Sequence, residues 1–481
     1  MSDHDMPRLV MVVPNWPALD QAYMTGRLAA VEAVLRERLI LTLRSAGLLP
    51  ERQAAAEFRV DYLASHGTGP KGLDINPEVL RRLLVCGIVM TGGERAAALL
   101  VESMTLAYGP EAGIGADLPV RAAGTLNIDP FWTHGCPGEA DYHMFGRRAD
   151  ALRAMGATQQ QLADAGLSGA DRAPDRVNLV VVDTGLPPSL IRPLDALTGW
   201  EVAVTDGGGL SVRKPGEALT GHGAMVAGNA LALVSDTNVL DCPAIPDGIT
   251  DLPAFLGWIV SAMLSVKATV VHQQGDDAAH SLPPRSWVIC NAWGVFDPGR
   301  ELPEAPYSNN PAHPLAQAYR DLAQLGVDIV FAAGNCGQFC PNGRCSPDFT
   351  GPGRSINGAN AMPEALTVGA VRHDGLWLGY SGQGPGITGL APEKPDLCAP
   401  SQFENDLDAG SNTGTSAACG LAAGAVALLR TRWPSSAVDP AALRAILRET
   451  AVQPYGPPGW QGRTGHGMVN VAAAAAALDA P

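Results

Sequence analysis

From Arg176 onward the chain alternates short apolar, β-branched runs with helical segments, and this alternation constrains the fold more than any other feature. Val177–Val182 (VNLVVV), Trp287–Asn291, Val327–Ala332 (VDIVFA) and Leu366–Val371 read as strands. Ala224–Val234, Pro253–Lys267, Leu315–Leu325, Thr413–Arg432 and Ala441–Thr450 read as helices. Strands that are apolar on both faces must be covered on both, so the pattern predicts a parallel α/β sheet between two helical layers. In such a sheet, functional residues gather at the carboxyl ends of the strands.

The front of the chain has its own alternation. Leu9–Val13 and Leu83–Met90 read as strands, Gln21–Ala46 and Glu94–Tyr108 as helices, and a Gly-rich stretch follows at Gly109–Gly124. Three units are expected: an N-terminal α/β or α+β accessory domain over 1–130, a connecting segment over 131–176 with a helix at Gly146–Met155, and the main domain over 177–481. A net charge of −15 with no basic stripe argues against nucleic acid as a partner. The longest uncharged apolar stretch, Leu252–Val266, carries Pro253 and stops at Lys267. It falls short of the roughly 20 residues that cross a bilayer, so a buried helix and no membrane partner are expected. The N-terminus has two acids and no basic region before Leu9–Val13, so no secretory signal is predicted and a cytoplasmic location is expected.

Four places at the expected strand ends and helix starts carry chemistry. Asp183 closes the first strand in Val182-Asp183-Thr184-Gly185, where a carboxylate caps a helix, starts a turn or serves a reaction. An aspartic protease needs a second Asp-Thr-Gly to share a proton, and the chain has none. His222 stands in Gly221-His222-Gly223-Ala224-Met225-Val226-Ala227-Gly228, where glycine on both sides lets the backbone turn tightly into a helix. Ser416, in Gly414-Thr415-Ser416-Ala417-Ala418, enters an Ala-rich helix, either as its cap or as a nucleophile at the positive end of the helix dipole. Asn335 follows Ala333-Gly334 after a strand, as a turn residue or as an amide donor to a developing oxyanion.

The order Asp183, His222, Asn335, Ser416 resembles the subtilisin-like serine peptidases, whose triad runs Asp, His, Ser. The likeness covers about residues 177–475 and includes Asn291-Ala292-Trp293-Gly294, Lys394-Pro395-Asp396 and Gly465-His466-Gly467-Met468-Val469-Asn470. The resemblance implies that Ser416 attacks the scissile carbonyl, His222 accepts its proton, Asp183 holds the imidazole, and Asn335 with the Ser416 N–H forms the oxyanion hole. It also implies that Ala292, Trp293, Gly294 and Gly334 bind the substrate backbone, so a protein or peptide is the expected substrate. Departures flank the triad without replacing a member: Ala224-Met225 follow His222, Ala417-Ala418-Cys419-Gly420 follow Ser416, and Ala292 stands where serine is commoner. The rival from another class is a silent peptide-binding protein on the same fold. An esterase reading lacks the Gly-x-Ser-x-Gly elbow.

Nine cysteines are too sparse for a disulfide scaffold. Cys336, Cys340 and Cys345, just after Asn335, leave open a metal site, a disulfide using two of the three, or reduced thiols in a loop; an intracellular home disfavours a permanent disulfide. His134, Cys136 and His143 read as a surface loop rather than a metal site. No cofactor is expected, and structural calcium stays open. The N-terminal region is expected to be a regulatory or recognition domain that could bind a regulatory partner, with a self-cleaved pro-segment as the alternative.

Overall fold

Leu9 and Met11 leave the first strand on one side and Val10 and Val12 on the other, and both sides find a cover. The computed structural model describes residues 6–13, 28–45, 58–65, 84–108, 113–117, 144–192, 198–206, 209–218, 221–245, 255–298, 301–406 and 410–480. The N-terminal unit runs β1 (Arg8–Val13), α1 (Leu28–Ser45), β2 (Arg59–Ser65), β3 (Leu84–Val89), α2 (Gly93–Tyr108), β4 (Ile114–Ala116). Its strands pair antiparallel in the order β2-β3-β1-β4, an α+β arrangement. Leu9, Met11, Cys86 and Ile88 pack under Leu35 and Leu39 of α1 and Ala97, Leu100 and Met104 of α2. The expected boundary at residue 130, and His134, Cys136 and His143, lie outside the described residues.

The connecting segment supplies α3 (Arg148–Ala154) and α4 (Gln159–Asp164), and the main domain begins with β5 (Val177–Val182), the hairpin β6 (Val202–Asp206) and β7 (Gly209–Arg213), and α5 (His222–Leu231). It continues with β8 (Asn238–Cys242), α6 (Phe255–Ala279), β9 (Ser286–Asn291), α7 (Pro314–Gln324), β10 (Val327–Ala332), β11 (Ala365–Val371) and β12 (Leu397–Pro400). A small antiparallel pair, β13 (Phe403–Glu404) and β14 (Ser411–Asn412), precedes α8 (Gly414–Arg430), α9 (Pro440–Glu449) and α10 (Val471–Asp479). Six strands form the parallel sheet in the order β12-β11-β10-β9-β5-β8.

Alternation along each strand decides which layer it feeds. Leu179 and Val181 of β5, Cys290 of β9 and Val330 of β10 face α5 and α8. Val180, Val182, Ile289 and Phe331 face the opposite layer, α6 and α7. The outer face of the N-terminal sheet joins that second core: Val10, Val85 and Ala116 pack with Trp258 and Leu256 of α6. Hydrogen bonds complete the junction, from Ala116 N to Ala305 O at 3.0 Å, Gly257 N to an Asp117 carboxylate oxygen at 3.2 Å, and His313 Nε2 to Ala116 O at 3.0 Å.

Among the described residues no helix is long and apolar enough to cross a membrane. The apolar stretch before Lys267 is the first half of α6, which continues to Ala279 past the expected end at Lys267. Every residue of α8 is buried, and Arg430 near its end forks onto Asp328 of β10 at 2.6 and 2.8 Å. A buried guanidinium held by two charge-assisted bonds fixes the helix against the sheet, and removing either partner would strand a charge.

Candidate active site

Asp183 directly follows β5 at the carboxyl end of the sheet, with its backbone held to the loop after β8: its N–H donates to Cys242 O at 3.1 Å and its carbonyl accepts from Ile245 N at 3.0 Å. Asp183 Oδ1 accepts from Thr184 N at 2.8 Å and Thr184 Oγ1 at 3.2 Å, and meets His222 Nδ1 at 2.7 Å. A carboxylate oxygen only accepts, so the imidazole proton sits on Nδ1 and Nε2 is the acceptor nitrogen. Close approach makes this couple possible. A Cβ on Gly223 would lie 2.4 Å from Gly185 O, so only glycine lets the start of α5 press against the Asp183 loop.

Ser416 is the third residue of α8, where backbone N–H groups have no partner within the helix. A Cβ on Gly420 would lie 2.5 Å from Val226 O, and one on Gly424 would lie 2.5 Å from Ala230 O. Helices α5 and α8 therefore run in step, four residues to four, and His222 and Ser416 lie in their first turns. The Ser416 hydroxyl donates to Ala292 O at 3.2 Å. Asp183, His222 and Ser416 are all buried.

Asn335 arrives from β10 and is oriented by the residue before the serine. Its Oδ1 accepts from Thr415 N at 2.9 Å and Thr415 Oγ1 at 3.0 Å, which turns the Nδ2 end away from Thr415. Gly334 O accepts from Gly382 N at 2.8 Å. A small cavity, partly open to solvent, lies between Gly294–Phe296 on one side and Ala333–Cys336 on the other, with Ser355, Asn357 and Asn360 completing its lining.

Of the residues expected to bind substrate, Gly294 and Gly334 line this cavity and Ala292 holds the serine. Trp293 lies between Ala292 and Gly294 with its side chain turned into the core. Its ring is fully buried, edge-on to Phe331 with centroids 5.5 Å apart, and its carbonyl accepts from Asn360 Nδ2 at 2.8 Å. A large apolar ring gains more from the core than from the rim.

The cysteine cluster resolves into a disulfide between Cys336 and Cys345, with Cα atoms 5.6 Å apart. Cys340 is disulfide-bonded as well. Thiolates held in disulfides cannot ligate zinc, so the metal alternative is corrected here, and among the described residues no His, Cys, Asp and Glu cluster is placed to hold a metal ion. A disulfide using two of the three cysteines is among the alternatives the sequence leaves open. Cys86, Cys242, Cys290, Cys398 and Cys419 are buried free thiols.

Several residues that shape the site gave no signal in the sequence. Asp241, at the end of β8, takes Leu186 N at 3.1 Å and Gly216 N at 3.0 Å on one carboxylate oxygen, tying down the loop that follows Asp183. Burial raises its pKa to about 7, and the nearby Asp183 charge adds to the rise. An Asp ending the run NVLDC would mark it only once β8 is recognised as a strand. Lys394-Pro395-Asp396 braces the fold instead of touching the site. Asp396 takes Lys394 Nζ at 2.7 Å, Thr367 N at 2.6 Å and Arg448 Nε at 2.8 Å, joining α9 to the sheet.

The fold thus sets an Asp–His couple at the strand ends of a parallel α/β sheet and a serine in the first turn of an adjoining helix. The chain belongs to the subtilase family, whose peptidase S8 family model matches residues 180–467. Among solved structures it is similar to a lanthipeptide protease, at 16% identity and a TM-score of 0.42, covering 69% of this chain and 95% of that one. It is also similar to MycP1 from Mycobacterium smegmatis, at 19% identity and a TM-score of 0.44, covering 74% of this chain and 90% of that one. No curated protein matches the chain.

Proposed function

We propose that the chain is a serine endopeptidase that cleaves peptide bonds through an acyl-enzyme intermediate. The observation that carries this reading is the 2.7 Å contact between His222 Nδ1 and Asp183 Oδ1 in a buried setting, on the helix that packs against the one carrying Ser416 in its first turn. With its proton fixed on Nδ1, His222 offers Nε2 as general base. Rotation of the Ser416 hydroxyl from Ala292 O towards Nε2 allows its proton to pass to His222 as Oγ bonds to the scissile carbonyl carbon. Asp183 offsets the imidazolium charge that forms. Asn335 Nδ2 and the Ser416 N–H stabilise the oxyanion. His222 then donates its proton to the leaving amine, the C–N bond breaks, and water repeats the sequence on the acyl-enzyme. The segment after β9 pairs with the substrate as an added strand, which makes an extended peptide the natural substrate.

The N-terminal unit is proposed as an accessory domain or pro-domain that governs access to the site. Burial of Ser416 and His222 in the intact chain supports this, as does the core shared between the N-terminal sheet and α6. Self-cleavage within 130–175, read by mass spectrometry after expression, marks a pro-domain; an uncut, active chain marks an accessory domain.

A silent peptide-binding protein is the second reading, and the Ser416 hydroxyl donating to Ala292 O is the observation in its favour. Hydrolysis of a mixed peptide library separates the two. The peptidase reading expects cleavage by the wild type that Ser416→Ala abolishes, whereas peptide binding without cleavage supports the binder.

A further inference from the structure

Cys340 is disulfide-bonded, and the cysteines of the chain leave it one partner. The sequence holds nine. Among the described residues, Cys86, Cys242, Cys290, Cys398 and Cys419 are buried free thiols, and Cys336 is joined to Cys345. The cysteine left over is Cys136, which lies outside the described residues. The other source of a sulfur is a second copy of the chain, and the setting of Cys340 argues against it. The residue is 5% exposed and belongs to the core that packs α5 and α8 against the sheet. A foreign chain would have to enter that core.

The chain's own route passes close by. The described residues resume at 144, and Phe145 packs against the same core while its N–H donates to Gln402 O at 2.6 Å. Tyr380 connects the two places. Its hydroxyl donates to Gln402 Oε1 at 3.3 Å. At its other end, Tyr380 O accepts from Gly337 N at 2.7 Å, and the preceding carbonyl, Gly379 O, accepts from Cys340 N at 3.4 Å. Cys136 stands nine residues before Phe145, a reach of up to about 30 Å at about 3.3 Å per residue. One tyrosine spans the gap, so the tether is long enough.

We propose that Cys136 is the partner of Cys340, so that the stretch joining the N-terminal unit to the main domain is fastened beside the loop that carries Asn335. A chain cut between residues 137 and 175 then keeps its N-terminal unit, even in denaturant, until a reductant opens the bond. The inference goes beyond the peptidase reading and does not depend on it. Closing the bond needs an oxidant, here a small disulfide of the oxidised-glutathione class. One cysteine thiolate attacks it and expels a thiol; the other then displaces the second thiol as the S–S bond forms. The two cysteine protons and two electrons leave on the two small thiols.

The test maps disulfides in the full chain by mass spectrometry, after equilibration with oxidised glutathione and alkylation of free thiols in denaturant. Digestion that includes a cut after Phe339 separates Cys336 from Cys340. The expected result is a linked pair of peptides carrying Cys136 and Cys340, lost on reduction. Cys136 recovered alkylated, joined to glutathione or joined to any other cysteine overturns the proposal, as does Cys340 joined to a second chain. A second arm inserts the recognition sequence of a site-specific protease after Gly169, in an exposed turn. Once cut and denatured, that chain is expected to run as one species without reductant and as two with it, while Cys136→Ser in the same chain gives two throughout. Two species from the parent without reductant contradict the link. Should the insertion prevent folding, the map decides alone. Neither readout needs hydrolytic activity, so failure here leaves the peptidase reading standing.

Discussion

Gly424 of α8 lies so close to Ala230 of α5 that a Cβ on it would stand 2.5 Å from the Ala230 carbonyl oxygen. The same contact recurs one turn earlier, between Gly420 and Val226, and Ser416 and His222 lie in the first turns of these two helices. Distance between the two proposed reacting side chains is thus controlled by small residues far along the helices.

Gly424→Ala forces these helices apart, because the obstructing atoms are backbone and cannot swing away. The expected cost is about 1–3 kcal/mol of stability, as for other overpacked cores. On the peptidase reading kcat falls while KM holds, since the nucleophile and its base shift and the substrate strand does not. Denaturant melts paired with steady-state kinetics check both.

Asn335→Ala removes the side-chain donor of the proposed oxyanion hole. A loss of about 10²–10³ in kcat with little change in KM is expected, the magnitude being that of subtilisin's own oxyanion donor. Thr415→Val keeps the Thr415 N–H contact to Asn335 Oδ1 but deletes the hydroxyl one, so a smaller loss is expected. Full kcat in Asn335→Ala excludes the amide from the reaction.

Two buried groups give stability opposite slopes with pH. Burial lifts the Asp241 pKa to about 7, so between about pH 4 and 7 the folded chain binds a proton that the unfolded chain has lost, and stability falls as pH rises. Burial lowers the His313 pKa to about 4, so below about pH 6.5 the unfolded chain takes up a proton that the folded chain refuses, and stability falls as pH drops. Between about pH 4 and 6.5 the two slopes oppose. Relative to wild type, Asp241→Asn therefore gains stability as pH rises through that window, and His313→Asn loses it; urea titrations at about pH 5 and 6 measure the slopes. Parallel slopes in all three proteins contradict the assignment.

The Cys336–Cys345 disulfide closes a loop whose Asn342 N–H donates to Asn335 O at 2.8 Å. Cys336→Ser with Cys345→Ser is expected to cost about 2–4 kcal/mol of stability and to lower kcat by loosening the support of Asn335. Alkylation mass spectrometry combined with an activity assay checks this. An unchanged melt and full activity would show that the link is idle.

Local sequence carried the centre of the fold well, because strands buried on both faces have a continuous apolar signature. The expected bounds of β5 and β10 match the observed ones, and β9 and β11 each begin one residue earlier than expected. Polar interruptions hid the rest. β8 (NVLDC) carries Asp241 within it, while β12 (LCAP) is short and ends in proline, and each becomes a strand through its parallel neighbour. The second half of α6 is polar, yet it is held by partners distant in sequence: Gln273 accepts from Asn178 Nδ2 at 3.0 Å, and Asp277 pairs with Arg176 at 2.9 Å. Four candidate residues were legible because glycine and strand-end context surround each. Asn357 and Asn360 stand in no such context, and only the folded chain brings them to the cavity.

The most direct measurement is peptide mapping by mass spectrometry after reaction with a fluorophosphonate, using wild type and His222→Ala. The account predicts one adduct per wild-type chain, on Ser416, and a rate of labelling reduced by orders of magnitude in a folded His222→Ala. An adduct on another residue, no adduct at all, or equal labelling without His222 would contradict it.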